Sequence, residues 1–233
     1  MNDILVSVMI PSRDRIDILK NSIKSLLDNV AKPHQIQILI KFDFDDYSSF
    51  QRFHEIYNVL NLKHDKIIFG PRFRGYKDHH LFLNDLAKLA EGEFLFTWND
   101  DTTMMSKDWD KEVEKYKGQF IVLKPKHNMY TLPDFNGNPI FPRKWAELTG
   151  HVALNCHTDN WIHDIATSLG IQKEVDITIR NDAAHWGGFV DDRTYHEGSI
   201  FAYDHDDYYG SIKTQLRDID KNKITQYINT IKS

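Results

Sequence analysis

One cysteine, Cys156, stands among 233 residues, so no intramolecular disulfide can brace this fold. A lone thiol suits a reducing compartment. No apolar run approaches the roughly 20 residues that cross a bilayer, and no membrane span is expected. The first residues enter a strand pattern at once, so a secretory leader is not expected and the reading is cytoplasmic. Positive charge is also short. The formal net charge of −5 leaves no basic field for a nucleic-acid backbone, and a nucleic-acid partner is not expected. Internal repeats, low-complexity segments and a clear linker are all missing, so residues 1–233 read as one domain. What is present is ordinary: 41% hydrophobic and 27% charged residues, enough for a full core.

Apolar periodicity supplies the architecture. Ile4–Ile10 is a near-continuous apolar run ended by Pro11, the pattern of a strand buried on both faces. Ile16, Leu19, Ile23, Leu26 and Leu27 follow at helical spacing. The pattern then predicts a strand over Gln35–Phe42, a helix over Ser48–Leu60, a strand over Lys66–Phe69, a helix over Asp78–Ala90 and a strand over Phe94–Trp98. That alternation belongs to a parallel sheet with right-handed crossovers. Beyond it the signal loosens. Helices are expected near Trp109–Tyr116, Arg143–Leu148 and Asp159–Leu169, and strands over Phe120–Leu123 and Glu174–Ile179. Lys124–Pro142 reads as a loop, broken by Pro125, Pro133, Gly137 and Pro139. An amphipathic helix is expected over Gln215–Ile231.

The fourth strand delivers Asn99, Asp100 and Asp101 at its carboxyl end, where open α/β sheets bind their ligands. Adjacent carboxylates repel one another. A divalent cation, Mg²⁺ or Mn²⁺, relieves that repulsion and favours hard oxygen ligands. The plainer alternative is that one of the pair caps the next helix.

The order of motifs resembles the nucleotide-sugar-dependent glycosyltransferases of the GT-A fold, in particular the family-2-like group. Val6–Arg13 is similar to their opening strand with its Pro, small residue and Arg. Asn84–Phe94 resembles the helix and turn before their metal motif, and Asn99-Asp100-Asp101 stands where they keep Asp-X-Asp. Pro142–His151 resembles their acceptor-side segment, and Thr158–Trp161 lies where they carry an acidic base. His185–Gly188 followed by Asp192–Tyr195 is similar to their late histidine loop. The resemblance runs over residues 4–200. It departs at Asn99, an amide where an acid is usual, and at Phe42–Asp46, which replaces an Asp-Gly-Ser-X-Asp pattern.

The resemblance implies a mostly parallel central sheet flanked by helices, with a Rossmann-like nucleotide-binding half over about 1–101, an acceptor-side half over about 102–205 and a C-terminal helix over about 206–233. It implies metal-dependent transfer from a nucleoside-diphosphate sugar, UDP favoured, to a glycan or other hydroxyl. Asp101 and His185 would hold the metal, with His196 the rival to His185. Asn99 and Asp100 would meet ribose or metal-bound water, and Asp43 and Asp45 the base or ribose. Pro11, Arg13, Arg15, Arg72 and Tyr76 would line the donor site. Asp159 would be the general base, its proton affinity lowered by the helix dipole. Trp161 would offer a face to the acceptor. Each has a blander counterpart: a helix cap for Asp43, Asp45 and Asp159, solvent for His185 and Arg15, core for Trp161.

One base and no enzyme nucleophile imply inversion. A nucleotidyltransferase on a similar fold would want a glycine-rich first loop, and Pro11–Arg15 contains no glycine. A non-catalytic sugar-nucleotide or glycan binder is the other alternative, against which Asp101 and Asp159 speak.

Overall fold

Side-chain alternation along the first strands creates two apolar layers, one on each face of a sheet. Val6, Val8 and Ile10 join one core cluster, while Met9 between them joins the other. Ile38 and Ile40 alternate with Leu39 in the same way, and Phe94 and Phe96 with Leu95. A period of two is what a pleated strand imposes, so burial on both faces requires helices on both.

The computed structural model describes residues 3–60, 63–128, 134–184, 187–193, 196 and 210–232. In chain order the elements are β1 (Val6–Pro11), α1 (Ile16–Asp28), β2 (Ile36–Asp43), α2 (Tyr47–Arg52), α3 (His54–Tyr57), β3 (Lys66–Gly70), α4 (His79–Leu89) and β4 (Phe94–Thr97). They continue with β5 (Thr102–Met104), α5 (Trp109–Glu114), β6 (Val122–Lys126), β7 (Ile140–Pro142), α6 (Arg143–Thr149), α7 (Thr158–Ser168), β8 (Gln172–Asn181) and α8 (Ser211–Lys232). The eight-stranded sheet has the order β3-β2-β1-β4-β7-β6-β8-β5. β3, β2, β1 and β4 are parallel, β7 pairs antiparallel with both β4 and β6, and β8 runs parallel to β6. The helices α1 and α5 pack on one face through Leu19, Ile23, Trp109 and Val113. On the other face α4, α6, α7 and α8 contribute Leu86, Trp145, Trp161, Ile165 and Ile224. Among the described residues no helix is long and apolar enough to cross a membrane.

The mixed α/β class and its flanking helices agree with the sequence reading; several boundaries do not. Two three-residue strands, β5 and β7, went unread because three residues carry no measurable period. β6 starts later than expected and runs through Pro125, which lies in the register shift between Lys124 and Lys126. The helix expected over Ser48–Leu60 is two short ones that meet at Phe53. Gly92, read as part of a turn, has a more specific cause. A Cβ there would lie 2.5 Å from the Ser7 backbone nitrogen, and its own N–H donates to Ser7 Oγ at 2.8 Å. Only glycine lets β4 start this close to β1.

Candidate functional site

Strand order fixes where the site must be. From β1 the chain moves outward to β2 and β3, then returns to place β4 on the other side of β1. The two strands beside that reversal leave a crevice beyond their carboxyl ends. Pro11 ends β1 there, and Trp98-Asn99-Asp100-Asp101 follow β4. The Trp98 indole donates to Ser22 Oγ at 2.7 Å, and Ser22 donates to the Thr102 carbonyl at 2.6 Å, so α1 clamps this strand end.

The turn from β1 into α1 sends its two arginines in opposite directions. Asp14 between them adopts a left-handed φ of 55°, held by its N–H donating to Asp46 at 3.0 Å. Arg13 points along the β2 end and pairs with Asp43 at 3.0 Å and Asp45 at 2.6 Å. Burial pushes the Asp43 carboxyl up against the pull of Arg13, whereas Arg13 holds exposed Asp45 down. Asp46, not Asp43 or Asp45, caps α2, accepting from the Ser49 N–H at 2.9 Å. Arg72, after β3, adds its positive field to both Asp43 and Asp45.

Arg15, expected to line the donor site, turns inward and is only 6% exposed. Its Nη1 donates to Asp100 at 2.8 Å and Asp101 at 3.2 Å. Its Nε and Nη2 grip Asp192 in a fork at 2.7 and 2.6 Å. Ser12 Oγ donates to the second Asp100 oxygen at 2.7 Å, so both Asp100 oxygens have protein partners. Asp192 is brought back from the far end of the chain by a tight loop. The Asp182 N–H donates to the Asp101 carbonyl at 2.8 Å and the Val190 N–H to the Asp182 carbonyl at 2.9 Å. Gly188 makes the return possible, since a Cβ would fall 1.9 Å from the Asp182 carbonyl oxygen. Asp101 is pushed up to about 7, first by burial and then by Asp100, with Arg15 opposing.

Asp159 stands across the crevice in the first turn of α7. A cleft is lined by Pro11, Thr97, Trp98 and Asn99 on one side and Tyr76, His79, Leu83, Cys156, Thr158 and Asp159 on the other, with Gly137. His157 occupies the N-cap position, and the Asp159 carboxylate accepts from the neighbouring Asn160 N–H at 2.9 Å. The dipole was expected to lower its proton affinity. Burial outweighs the helix-end N–H groups instead and pushes Asp159 up to about 6.

Trp161 corrects a second expectation. It is 0% exposed, packed in the helical layer with its Nε1 donating to Asp220 at 3.0 Å, and offers no face to a ligand. His185 lies outside the described residues. His196 pairs with Asp191 at 2.8 Å on the surface. Among the described residues no three His, Cys, Asp or Glu side chains gather as a metal cage. Asp192 and His79 were given no role from sequence. Asp192 is 177 positions from Arg15, a pairing no local pattern signals, and His79 looks like an ordinary helix-start residue until the cleft is formed.

No protein-family model and no curated protein sequence matches this chain. Its fold does match solved structures. S. aureus TarS residues 1–349 aligns over 94% of this chain and 79% of its own, with a TM-score of 0.57 and 14% identity. The mannosyltransferase PcManGT from Pyrobaculum calidifontis, in complex with GDP-Man and Mn²⁺, aligns over 84% of this chain and 59% of its own, with a TM-score of 0.58 and 14% identity. TarS 1–349 in complex with UDP-GlcNAc aligns over 94% and 72%, with a TM-score of 0.54. The fold is that of the GT-A-like glycosyltransferases.

Proposed function

We propose that this chain transfers a sugar from a nucleoside-diphosphate sugar to an acceptor hydroxyl, with inversion. The observation that carries the reading is the cleft itself. One carboxylate, Asp159, faces the ends of β1 and β4, where Asn99 leads into the acidic pair. Solved structures of the same fold hold UDP-GlcNAc in one case and GDP-Man with Mn²⁺ in another, which supports a donor of that class.

Charge at the end of β4 would favour a divalent cation. Asp100 and Asp101, both buried, and the partly exposed Asp192 share the guanidinium of Arg15. Burial first, and then Asp100, raise the proton affinity of Asp101, a penalty that a cation there would relieve. Asp101, with one oxygen not engaged by Arg15, would hold the cation, which when bound would neutralise charge on the leaving diphosphate. Asp43, Asp45 and Arg13 at the β2 end would meet the nucleoside. Asp159 would take the acceptor proton as the acceptor oxygen bonds the anomeric carbon, and the diphosphate would leave with the electron pair of the broken bond. Direct attack by the acceptor oxygen, with no covalent enzyme intermediate, would invert the configuration.

Two results test this. In a thermal-shift series with UDP, GDP, UDP-GlcNAc and GDP-mannose, each with and without Mn²⁺, at least one nucleotide is expected to raise the melting temperature. At a hundred times its dissociation constant a ligand stabilises by about 2.7 kcal/mol. No shift with any of them sinks the donor assignment. The pH profile is the second. Asp159 must be ionised to accept a proton, so kcat/KM is expected to fall as pH drops through about 6 and to level off above it. A profile flat from pH 5 to 8 would remove Asp159 from the base role.

A further inference from the structure

The far wall of the cleft carries two polar side chains that the proposed reaction has not used. Tyr76 closes the loop after β3, and His79 opens α4. Their rings stack at 5.3 Å with an 18° tilt, and the edge of Phe82 backs His79 at 6.4 Å. Both line the cleft beside Leu83 and Asp159, whereas Asp43, Asp45 and Arg13 do not line it. Tyr76 keeps 37% of its surface exposed. Among the described residues neither the Tyr76 hydroxyl nor the His79 imidazole has a hydrogen-bond partner.

We propose that Tyr76 and His79 form the wall that recognises the transferred sugar, the hydroxyl of one and the imidazole of the other hydrogen-bonding hexose hydroxyls in the cleft beside Asp159. The assignment rests on the donor reading above and narrows Tyr76, expected from the sequence only to line the donor site, to the sugar. Tyr76 lines the same cleft as Asp159. Burial of its hydroxyl first, and then the negative field of Asp159, push its proton affinity up and keep it a donor. Transfer brings the anomeric carbon close to the acceptor oxygen held by the base, so a group beside Asp159 is within reach of the sugar. Burial and the neighbouring His80 push His79 down to about 4, so its ring is neutral at physiological pH, with one nitrogen to donate and one to accept. Leu83 and Pro11 add apolar surface to a lining that suits the C–H faces of a pyranose.

Calorimetric titration of UDP against UDP-GlcNAc, and of GDP against GDP-mannose, separates sugar from nucleotide recognition. Tyr76→Phe keeps the ring and its stack and removes only the hydroxyl; His79→Leu removes the polar atoms. Both are expected to bind the parent nucleotide within twofold of wild type and the sugar nucleotide about 5–10-fold more weakly, the worth of one hydrogen bond. Equal losses for nucleotide and sugar nucleotide would place these residues against the nucleotide and overturn the assignment while leaving the donor reading standing. So would no loss in either variant, or a wild type to which neither sugar adds affinity. A wild type that binds none of the four ligands would bring down the donor reading and this assignment together.

Discussion

Asp159→Asn is expected to lower turnover by roughly 10²–10⁴-fold while donor affinity and melting temperature barely change. Asparagine keeps the shape of the side chain, and its amide oxygen can still accept from the Asn160 N–H. What it loses is the ability to take a proton. Stability should not suffer. A carboxyl whose folded pKa is raised to about 6 contributes nothing favourable once ionised at neutral pH, so an uncharged isostere relieves the burial penalty. Measured transfer from any accepted donor, set beside a melting curve, distinguishes the roles. Near-normal transfer with a lower melting temperature would leave Asp159 as a helix-end residue only.

Arg15→Gln should be the most damaging single change to stability at the site. The guanidinium pairs with Asp100, Asp101 and Asp192 together. Removing one partner from a buried ionic cluster costs about 3–5 kcal/mol, because the remaining charges stay desolvated and now repel. Denaturant unfolding reads this directly as a lower midpoint. Adding Asp192→Asn to the same chain is expected to recover part of the loss, since one of the uncompensated carboxylates is then gone. Strictly additive losses would show that the contacts seen around Arg15 do not act as one cluster. A change below 0.5 kcal/mol in the single variant, the ordinary range for an exposed surface site, would show the same.

These two residues also mark how far the sequence could be read. The parallel half was legible because each of its strands is apolar on both faces and each helix carries its own stripe, and both are local signals. The acidic pair was legible as the carboxyl end of β4 for the same reason. Arg15 was not, because an arginine just after a strand has one spelling whether it meets solvent, a phosphate or a carboxylate. Its direction is set by Asp14 in a left-handed conformation and by Asp192 arriving from the other end of the chain. Trp161 misled in a complementary way. Its position beside Asp159 in sequence suggested proximity to a ligand, but two residues along a helix turn the side chain through about 200°, away from the cleft and into the core. The proton affinity of Asp159 depended on a contest between dipole and desolvation that only the surrounding walls decide.

The link between Trp161 and Asp220 has a practical bearing on how this chain tolerates change far from the cleft. Asp220 is 1% exposed on α8, yet it faces the underside of α7, the helix whose first turn presents Asp159. Arg217 lies over the same indole at 5.9 Å, and Ile224 and Ile228 seal the seam. α8 is therefore a keel for the helix that carries Asp159. Shortening the chain from Ser211 onward, or swapping Asp220 for a bulky apolar residue, would leave every cleft side chain in the sequence and still let α7 drift. If the proposed transfer is lost after such a change while nucleotide affinity survives, the loss reports misaligned supports and not a missing cleft residue.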